Sequence, residues 1–400
     1  MKKKIIPVSR GKKIVSLMGD GIENQIGKTV QSRLEVSDLD VSDSAEIPEE
    51  MRWYRVPLPE GISGDGSGYH TYISKGRINN LCIIISGGGV AWNEYTAARP
   101  VTGGKVAAGL PNFYWSNLRP FTQLMNINIG ITNTKNQANP FARWCFVVVT
   151  YATGDFHIGN SEFEYKGEDG EDSVLHFAGH RNFTEAMKVA VRLFPNPDKL
   201  LVAGNSAGAF AVPALAGEIS DKYYPGCRDI TLLSDSGQLL YKDWKKTAKD
   251  VWKADESFVA RLHSDNPTVD WYETLYLKYG ARFRYLYASS TRDYLLSSYY
   301  NDIMTRQYKT DRDVQQAFYD QLVYMTGQLK SITGDFHFYI FDWPMLPLAV
   351  GKGGTVHTAL KEISFASKKS DDITMADWLM DQVNGNMYDT GMGLLTPECS

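Results

Sequence analysis

Short runs of apolar residues recur along the chain, and several are apolar at consecutive positions. Residues 81–85, for example, read Leu-Cys-Ile-Ile-Ile and end at three consecutive glycines. Strands that are buried on both faces of a parallel sheet show such continuous runs. We therefore predict buried strands at residues 81–85, 144–150, 199–204, 230–234, 282–287 and 336–341.

Between these runs the pattern changes to that of helices. Residues 182–194 place apolar side chains on one face, and the pattern stops at Pro195-Asn196-Pro197. Proline cannot continue a helix, so this segment is predicted to be a helix that ends there. Strands that alternate with helices indicate an α/β fold, with a mostly parallel sheet that carries helices on both faces.

The first 70 residues follow a different pattern. Residues 51–59 alternate between polar and apolar positions, and a turn rich in glycine and serine follows at 63–68. This combination is typical of antiparallel strands. We predict an N-terminal β extension over residues 1–70, packed on a main domain over residues 71–400. With no repeat and no linker in the sequence, the two parts form a single domain.

Composition and charge narrow the function classes. The chain of 400 residues is 43% hydrophobic and has a formal net charge of −4, which gives no electrostatic reason to expect nucleic acid or an anionic membrane as a partner. No run approaches the roughly 18 apolar residues of a membrane span. The basic start at Met1–Lys4 lacks the apolar core of a signal peptide. We therefore expect a cytoplasmic protein, or a secreted one if the true N-terminus lies upstream.

The chain has four cysteines, at positions 82, 145, 227 and 399, without a Cys-x-x-Cys pair or metal-ligand spacing. Two of them lie in apolar runs, where cysteine usually behaves as a small buried apolar residue. We therefore expect no framework of disulfides, and the pattern leaves open whether a single bridge forms.

A candidate nucleophile follows the third predicted strand. Gly204-Asn205-Ser206-Ala207-Gly208 matches Gly-x-Ser-x-Gly, and residues 209–216 are compatible with a helix. In a tight strand-to-helix turn this motif exposes the serine hydroxyl at the carboxyl edge of the sheet. The alternative is a glycine-rich turn with a structural role only. The strand–turn–helix context favours a catalytic Ser206.

A catalytic serine needs a base and an acid that orients the base, and α/β hydrolases place them in the order Ser, acid, His. His357 lies in a glycine-rich loop after the last predicted strand, whereas His337 lies inside that strand. We therefore favour His357 as the base. Asp293, which follows the strand at 282–287, is the favoured acid. Asp235, after the preceding strand, stays open as the main alternative, followed by Asp302 and Asp342.

Backbone N–H groups that bind the oxyanion are expected in two places. The loop Ser86-Gly87-Gly88-Gly89 follows an early strand, and Ala207 follows the serine. We predict Gly88, Gly89 and Ala207 as the donors. A phosphate-binding loop is the rival interpretation, but no Gly-Lys-Ser/Thr follows. The substrate pocket is predicted to include Trp92, Asp155, His157 and Asp235.

A metal site at His176 and His180, which are four residues apart, would need a third ligand, and none occurs at a suitable spacing. We therefore expect neither a metal nor a cofactor.

Taken together, these segments resemble the pectin acetylesterase family over roughly residues 65–360. The resemblance rests on four segments: Ser86-Gly-Gly-Gly-Val-Ala-Trp-Asn93, 139–159 with its Thr-Gly-Asp, 179–208 with the nucleophile motif, and Ser234-Asp-Ser-Gly237. It implies an α/β-hydrolase-like fold and a carboxylesterase activity. It also implies that Ser206, Asp293 and His357 form the catalytic triad.

The chain departs from the family pattern near these motifs. The cysteine that follows the family's glycines is missing, Asn205 replaces the cysteine that precedes the serine, and Ala209 replaces a glycine. Loss of those disulfide partners fits a reducing compartment, and Ala209 is expected to narrow the pocket. No catalytic group is lost.

Three functions are compatible with the sequence. The first is a serine esterase that removes O-acetyl groups from a pectin- or xylan-type poly- or oligosaccharide. The second is a deacylase for longer acyl chains, which would need a deep apolar pocket. The third is a catalytically silent carbohydrate-binding relative, which the retained Ser, Asp and His disfavour.

Overall fold

The structure is a computed structural model that describes residues 36–41, 48–345 and 353–396. The expectations for residues 1–35 and Cys399, and the beginning of the histidine loop at residues 351–352, lie outside these ranges. Within them, no helix combines the length and the apolar character that a membrane crossing requires.

A nine-stranded sheet runs through the described part of the chain, in the order β1-β2-β3-β5-β4-β8-β9-β10-β11. Strand β3 is antiparallel to both β2 and β5, and all neighbours from β5 to β11 are parallel. The strands are β1 (Ser37–Asp38), β2 (Trp53–Ile62), β3 (Gly68–Ser74), β4 (Asn80–Ile85), β5 (Cys145–Val149), β8 (Lys199–Asn205), β9 (Ile230–Asp235), β10 (Arg284–Ser290) and β11 (Phe336–Phe341). A hairpin of β6 (Ser161–Lys166) and β7 (Asp172–Phe177), and the short pair β12 (Lys369–Ser370) and β13 (Ile373–Thr374), lie outside this sheet.

Helices connect the strands and cover the sheet. In the described ranges, the α-helices of four or more residues are Glu94–Ala97, Gly103–Ala107, Pro120–Asn126, Gly179–Leu193, Ala207–Glu218, Glu256–Val259, Pro267–Tyr279, Tyr294–Thr305, Arg312–Ile332 and Met375–Val383. The helix Ala207–Glu218 packs in the larger apolar core, whereas Met375–Val383 packs in the smaller one. The sheet is therefore covered on both faces.

The two cores meet opposite faces of the same strands, as the apolar runs require. In β4, Ile83 and Ile85 belong to one core and Cys82 and Ile84 to the other. All four side chains are fully buried. The prediction of strands without a solvent-facing side is therefore confirmed, because successive side chains point to opposite faces and each face is covered.

The predicted strands and the structure differ most at β10. We predicted residues 282–287, whereas the strand covers Arg284–Ser290 because Gly280–Arg282 form a 3₁₀ turn and the buried Ser289 and Ser290 extend the pairing with β11. At the N-terminal side, β2 and β3 are antiparallel as expected. They continue the main sheet, and residue 70, the predicted end of the extension, lies within β3.

Candidate active site

The strand order reverses beside β4, which lies between β5 and β8. At such a reversal the loops after two neighbouring strands leave in opposite directions and open a crevice at the carboxyl edge of the sheet. The loop after β4 begins with Ser86, and the turn after β8 begins with Ser206. The two predicted backbone motifs therefore lie at the point of the sheet where ligands usually bind.

Ser206 occupies a strained turn between β8 and the helix Ala207–Glu218. Its φ of 54° and ψ of −124° lie outside the regions that serine normally adopts. A Cβ on Gly204 would clash with the carbonyl oxygen of Gly208, and a Cβ on Gly208 would clash with the carbonyl oxygen of Ile85. Only glycine fits at both flanking positions, which explains the Gly-x-Ser-x-Gly spacing.

Hydrogen bonds to neighbouring backbone groups stabilise the strained conformation of Ser206. Its N–H donates to the carbonyl oxygen of Asp235 at the end of β9 (2.8 Å), and its own carbonyl oxygen accepts from Ala209 N (2.8 Å). The side chain is largely buried, with 8% of the residue surface exposed. The serine is therefore fixed by two adjacent elements.

His357 contacts Asp293 through one ring nitrogen. The distance from His357 Nδ1 to Asp293 Oδ2 is 2.6 Å, and the carboxylate is fully buried. The other oxygen, Asp293 Oδ1, accepts from the N–H groups of Leu295 and Leu296 at 2.9 Å each and caps the helix Tyr294–Thr305. With both of its oxygens bonded, the carboxylate cannot rotate away from the imidazole.

The second ring nitrogen of His357 is available for proton transfer. Nε2 is buried and has no hydrogen-bond partner among the described residues. Burial lowers the pKa of His357, but the charges of Asp293 and, more weakly, Asp235 outweigh that effect and raise the pKa above its ordinary value. An imidazole with one nitrogen held by a carboxylate and the other free has the arrangement of a general base.

Asp235, the alternative acid, contacts backbone instead of imidazole. Its Oδ2 accepts from Ala359 N (2.8 Å) and Leu360 N (2.7 Å), and its Oδ1 accepts from the Ser236 hydroxyl (3.0 Å). Burial raises the pKa of this carboxyl to about 6. Asp235 therefore holds the segment that follows His357 against the end of β9.

The glycine loop lies directly beside the nucleophile turn. A Cβ on Gly87 would stand 2.5 Å from Ser206 Cβ, and Gly87 N donates to Asn205 Oδ1 (3.4 Å). Gly89 has a φ of +82°, and a Cβ there would clash with the carbonyl of Phe113, so this turn also requires glycine.

The expected oxyanion donors are not engaged elsewhere. The N–H groups of Gly88, Gly89 and Ala207 have no acceptor among the described residues. Ala207 is also the first residue of its helix, where N–H groups lack intrahelical partners and favour negative charge. The arrangement can therefore bind an oxyanion, and the individual donor assignments stay predictions.

A buried loop that contains Asp155 and His157 stabilises the beginning of the glycine loop. His157 Nε2 is hydrogen-bonded to the carbonyl oxygen of Ser86 (2.8 Å), and Asp155 accepts from Thr153 Oγ1 (2.7 Å) and Gly179 N (2.7 Å). Burial lowers the pKa of His157 to about 4 and raises that of Asp155 to about 6. The uncharged imidazole fixes the carbonyl of Ser86 at the beginning of the glycine loop.

The structure buries the four residues that we expected to line the substrate pocket. Trp92, Asp155, His157 and Asp235 are each at most 2% exposed. Trp92 packs edge-on against Phe113 (5.2 Å between ring centroids). In this structure their contacts are internal and support the walls of the site. Direct contact of any of the four with substrate stays a prediction.

The sequence analysis did not single out two residues that adjoin the site. Trp115 is partly exposed, and its Cδ1 would be 3.1 Å from a Cβ on Gly88. Lys361 is buried and bonded to Ser86. Trp115 lies in an irregular segment without periodicity, and Lys361 is a single lysine four residues after His357, so neither had a distinguishing signal.

The two histidines considered for a metal have separate partners. His176 Nδ1 lies 3.4 Å from Glu162 Oε1, and His180 Nε2 lies 2.9 Å from Glu218 Oε2. Among the described residues, no group of three His, Cys, Asp or Glu side chains has an arrangement suited to a metal ion.

Comparison with solved structures gives a match to the Wnt deacylase Notum from Drosophila. The TM-score is 0.55 at 14% sequence identity, and the match covers 84% of this chain and 94% of that chain. At this identity the likeness shows the fold, which is of the α/β-hydrolase-like type. No curated protein matches the sequence.

Comparison with protein families identifies the family of the chain from its sequence. The pectinacetylesterase family model matches residues 63–266, which is just over half of the 400 residues. The matched part contains the glycine loop, the Thr-Gly-Asp loop and the nucleophile turn. The α/β-hydrolase-like sheet and this match together establish that the chain belongs to the pectinacetylesterase family of carboxylester hydrolases.

Proposed function

We propose that this chain is a serine esterase that removes O-acetyl groups from a poly- or oligosaccharide, with Ser206 as nucleophile, His357 as base and Asp293 as the orienting acid. The contact of His357 Nδ1 with the buried Asp293 carboxylate (2.6 Å), which leaves Nε2 without a partner among the described residues, carries the proposal. The strained φ of 54° at Ser206 also supports it.

In the proposed reaction, Ser206 Oγ attacks the acetyl carbonyl while His357 Nε2 accepts the hydroxyl proton. The tetrahedral oxyanion is bound by the N–H groups of the glycine loop and of Ala207. The imidazolium then protonates the departing sugar oxygen and leaves an acetyl group on the serine. Water then attacks this acetyl-enzyme while His357 accepts one of its protons; as the bond to Ser206 breaks, His357 returns that proton to Oγ, and the acetic acid that leaves ionises to acetate.

The surroundings of Gly88 support a short acyl group. A Cβ at Gly88 would lie 2.9 Å from Tyr151 Cδ1 and 3.1 Å from Trp115 Cδ1. Two aromatic rings therefore limit the space beside the expected oxyanion position. The partly exposed rings of Trp115 and Phe121, with centroids 6.3 Å apart and planes tilted by 37°, offer apolar faces against which a sugar can pack.

The test is hydrolysis of the 4-nitrophenyl esters of acetate, butyrate and octanoate by the wild type and by Ser206→Ala. We expect acetate to be preferred, and the substitution to lower kcat by about 10⁴-fold or more. Ser331→Ala, which changes a hydroxyl on the helix Arg312–Ile332 bonded only to Gln328 O, is the matched control and should leave kcat unchanged.

Acetylated pectin and xylan oligosaccharides then test the sugar, with released acetate as the readout. Preference for octanoate over acetate would contradict the deacetylase proposal and favour a deacylase for long chains. Absence of Ser206-dependent turnover on every ester would contradict the proposed esterase mechanism.

A further inference from the structure

Lys361 is a buried lysine next to the proposed site. It is 7% exposed and forms no ion pair with a described carboxylate. Its Nζ donates to Ser86 Oγ (3.0 Å) and to Asn126 Oδ1 (3.1 Å). Lysine is rarely buried without a counter-charge because removing the ammonium group from water is costly.

The bond from Lys361 to Ser86 joins two loops of the proposed site. Lys361 follows Ala359 and Leu360, whose N–H groups are held by Asp235, so its backbone is fixed to the segment that carries His357. Ser86 begins the glycine loop. A single side chain therefore connects the loop of the proposed base with the loop of the proposed oxyanion donors.

Every polar atom of Ser86 is bonded. Its N–H donates to Val149 O (3.0 Å), its carbonyl oxygen is bonded to His157 Nε2 (2.8 Å), and its hydroxyl donates to Asn126 Oδ1 (2.7 Å) while it accepts from Lys361. Residues that orient a functional loop through such complete networks are sensitive to the loss of one member.

The ionisable groups around Lys361 leave its charge uncompensated. The ionisable group of β4 that interacts with the amine is the Cys82 thiol, which is neutral because burial raises its pKa. Across Ser86, the pKa of His157 is lowered by burial, so this imidazole is neutral as well. On its own segment, the carboxylate of Glu362 interacts with His357 and not with Lys361. The helix Pro120–Asn126 adds only the neutral Asn126.

We propose that Lys361 is a positioning residue of the esterase site, which holds the glycine loop at a fixed place relative to His357 through its bond to Ser86. This inference rests on the proposed function. The side chain does not contact the reacting atoms, and its effect is to keep the N–H groups that follow Ser86 aligned with the oxyanion.

The test compares the wild type with Lys361→Met, Ser86→Ala and the double variant, with 4-nitrophenyl acetate as substrate. Methionine keeps the length of the side chain, and Ser86 and Asn126 still bond each other in its absence. We expect Lys361→Met to lower kcat by about 10- to 100-fold, less than the loss of an oxyanion donor, with KM changed by less than about two-fold.

Two further measurements separate positioning from a general structural role. We expect the double variant to be no slower than the slower single variant, because both changes break the same link. The Tm of Lys361→Met should equal or exceed that of the wild type, since an uncompensated buried charge has been removed. Lys199→Met is the matched control, because Lys199 also joins two segments, at Asp229 and Val383 O, but at the opposite edge of the sheet.

An unchanged kcat in Lys361→Met, a lowered Tm that accompanies the loss, or multiplicative effects in the double variant would each overturn the inference. Inactivation by a fluorophosphonate, which reports the reactivity of Ser206 without a sugar or acyl specificity, should slow in parallel with kcat. If wild-type Ser206 reacts with this reagent but the protein hydrolyses no ester, the substrate proposal fails. The positioning role of Lys361 is then still decided by the rate of inactivation in wild type and in Lys361→Met. If Ser206 does not react at all, both are overturned.

Discussion

Two buried carboxylates at the ends of neighbouring strands contact the same loop in different ways. Asp293 follows β10 and bonds the imidazole of His357, whereas Asp235 ends β9 and bonds the backbone N–H groups of Ala359 and Leu360. Both side chains are fully buried. Residue type, burial and position at the sheet edge are therefore shared, and only the bonded partner differs.

Two separate requirements therefore meet at the histidine loop. The imidazole needs an acceptor at Nδ1, which fixes its orientation and its tautomer. The loop needs acceptors for its buried N–H groups, which fix its path. Asp235 also serves the nucleophile, because its carbonyl oxygen accepts from Ser206 N. In this account Asp293 acts on the base, and Asp235 holds both partners in place.

The largest effect is expected from Asp293→Asn. The amide keeps the shape of the side chain but has no negative charge to stabilise the imidazolium, so kcat/KM on 4-nitrophenyl acetate should fall by about 10³- to 10⁴-fold. Thermal unfolding serves as the control, because the amide oxygen can still cap the helix Tyr294–Thr305. A loss below ten-fold would contradict the assignment of Asp293 as the acid.

Asp235→Asn should have a smaller effect on activity and a larger one on stability. The amide oxygen can still accept from Ala359 N and Leu360 N, but without a charge, and the amide NH₂ cannot accept from the Ser236 hydroxyl as Oδ1 does. Losing the charge-assisted bonds and this acceptor costs about 1–3 kcal/mol. We expect kcat/KM to fall by about 10- to 100-fold as the loop shifts. Activity assays with urea unfolding measure both quantities. If Asp235→Asn loses as much activity as Asp293→Asn and keeps its stability, the two carboxylates do not have separate roles.

The pH dependence of kcat/KM reports the pKa of His357 and so shows which of the two carboxylates, Asp293 or Asp235, controls it. His357 must be neutral to accept a proton, so activity falls as the pH drops through its pKa. Because that pKa is raised, with Asp293 the main cause that outweighs burial, the acid limb of the wild type should lie above pH ~6.5. In Asp293→Asn the limb should move to lower pH. A limb that stays in place in this variant but moves in Asp235→Asn would reverse the two roles.

The smallest effect concerns Lys361, a third buried ionisable group beside the same loop, whose burial lowers the stability of the folded protein. Burial lowers its pKa to about 7, whereas in the unfolded chain it stays near its ordinary value of about 10.4. Below pH 7 the amine is protonated in both the folded and the unfolded state, and the folded protein is destabilised by the full cost of burying the charge. Between these values the folded amine is neutral and the cost fades as the pH rises.

The advantage of Lys361→Met in Tm should therefore be greatest below pH 7 and should shrink toward pH ~10.4. Differential scanning calorimetry of the two proteins across this range measures it. An advantage that grows with pH would contradict the assigned direction of the Lys361 pKa.

Much of the fold could be predicted because its strands are apolar on both faces. The run at residues 81–85 has no polar position, and the structure confirms a strand there that lies between two apolar cores. The beginning of β10 was predicted two residues too early, since the alternation at Arg282–Tyr287 does not reveal the 3₁₀ turn that ends at Arg282. Local pattern indicates that a strand exists better than where it begins.

The candidate site was predictable only where chain order or a turn motif constrained it. Gly204 and Gly208 are required by close backbone approach, so the turn at Ser206 has a sequence signature. The burial of Trp92 and His157 depends on how the loops fold over one another, which no local pattern encodes. Lys361 carries no motif, and its contact with Ser86 joins residues 275 positions apart.

The proposed reaction passes through an acyl-enzyme on Ser206, and an experiment that traps this intermediate is its most direct test. Wild-type protein is mixed with 4-nitrophenyl acetate, quenched in acid during turnover and mapped by peptide mass spectrometry. We predict one acetyl group per chain, on the peptide that contains Ser206, and none in Ser206→Ala. Rapid hydrolysis without an adduct, or an acetyl group on another residue that turns over at the rate of hydrolysis, would contradict the account.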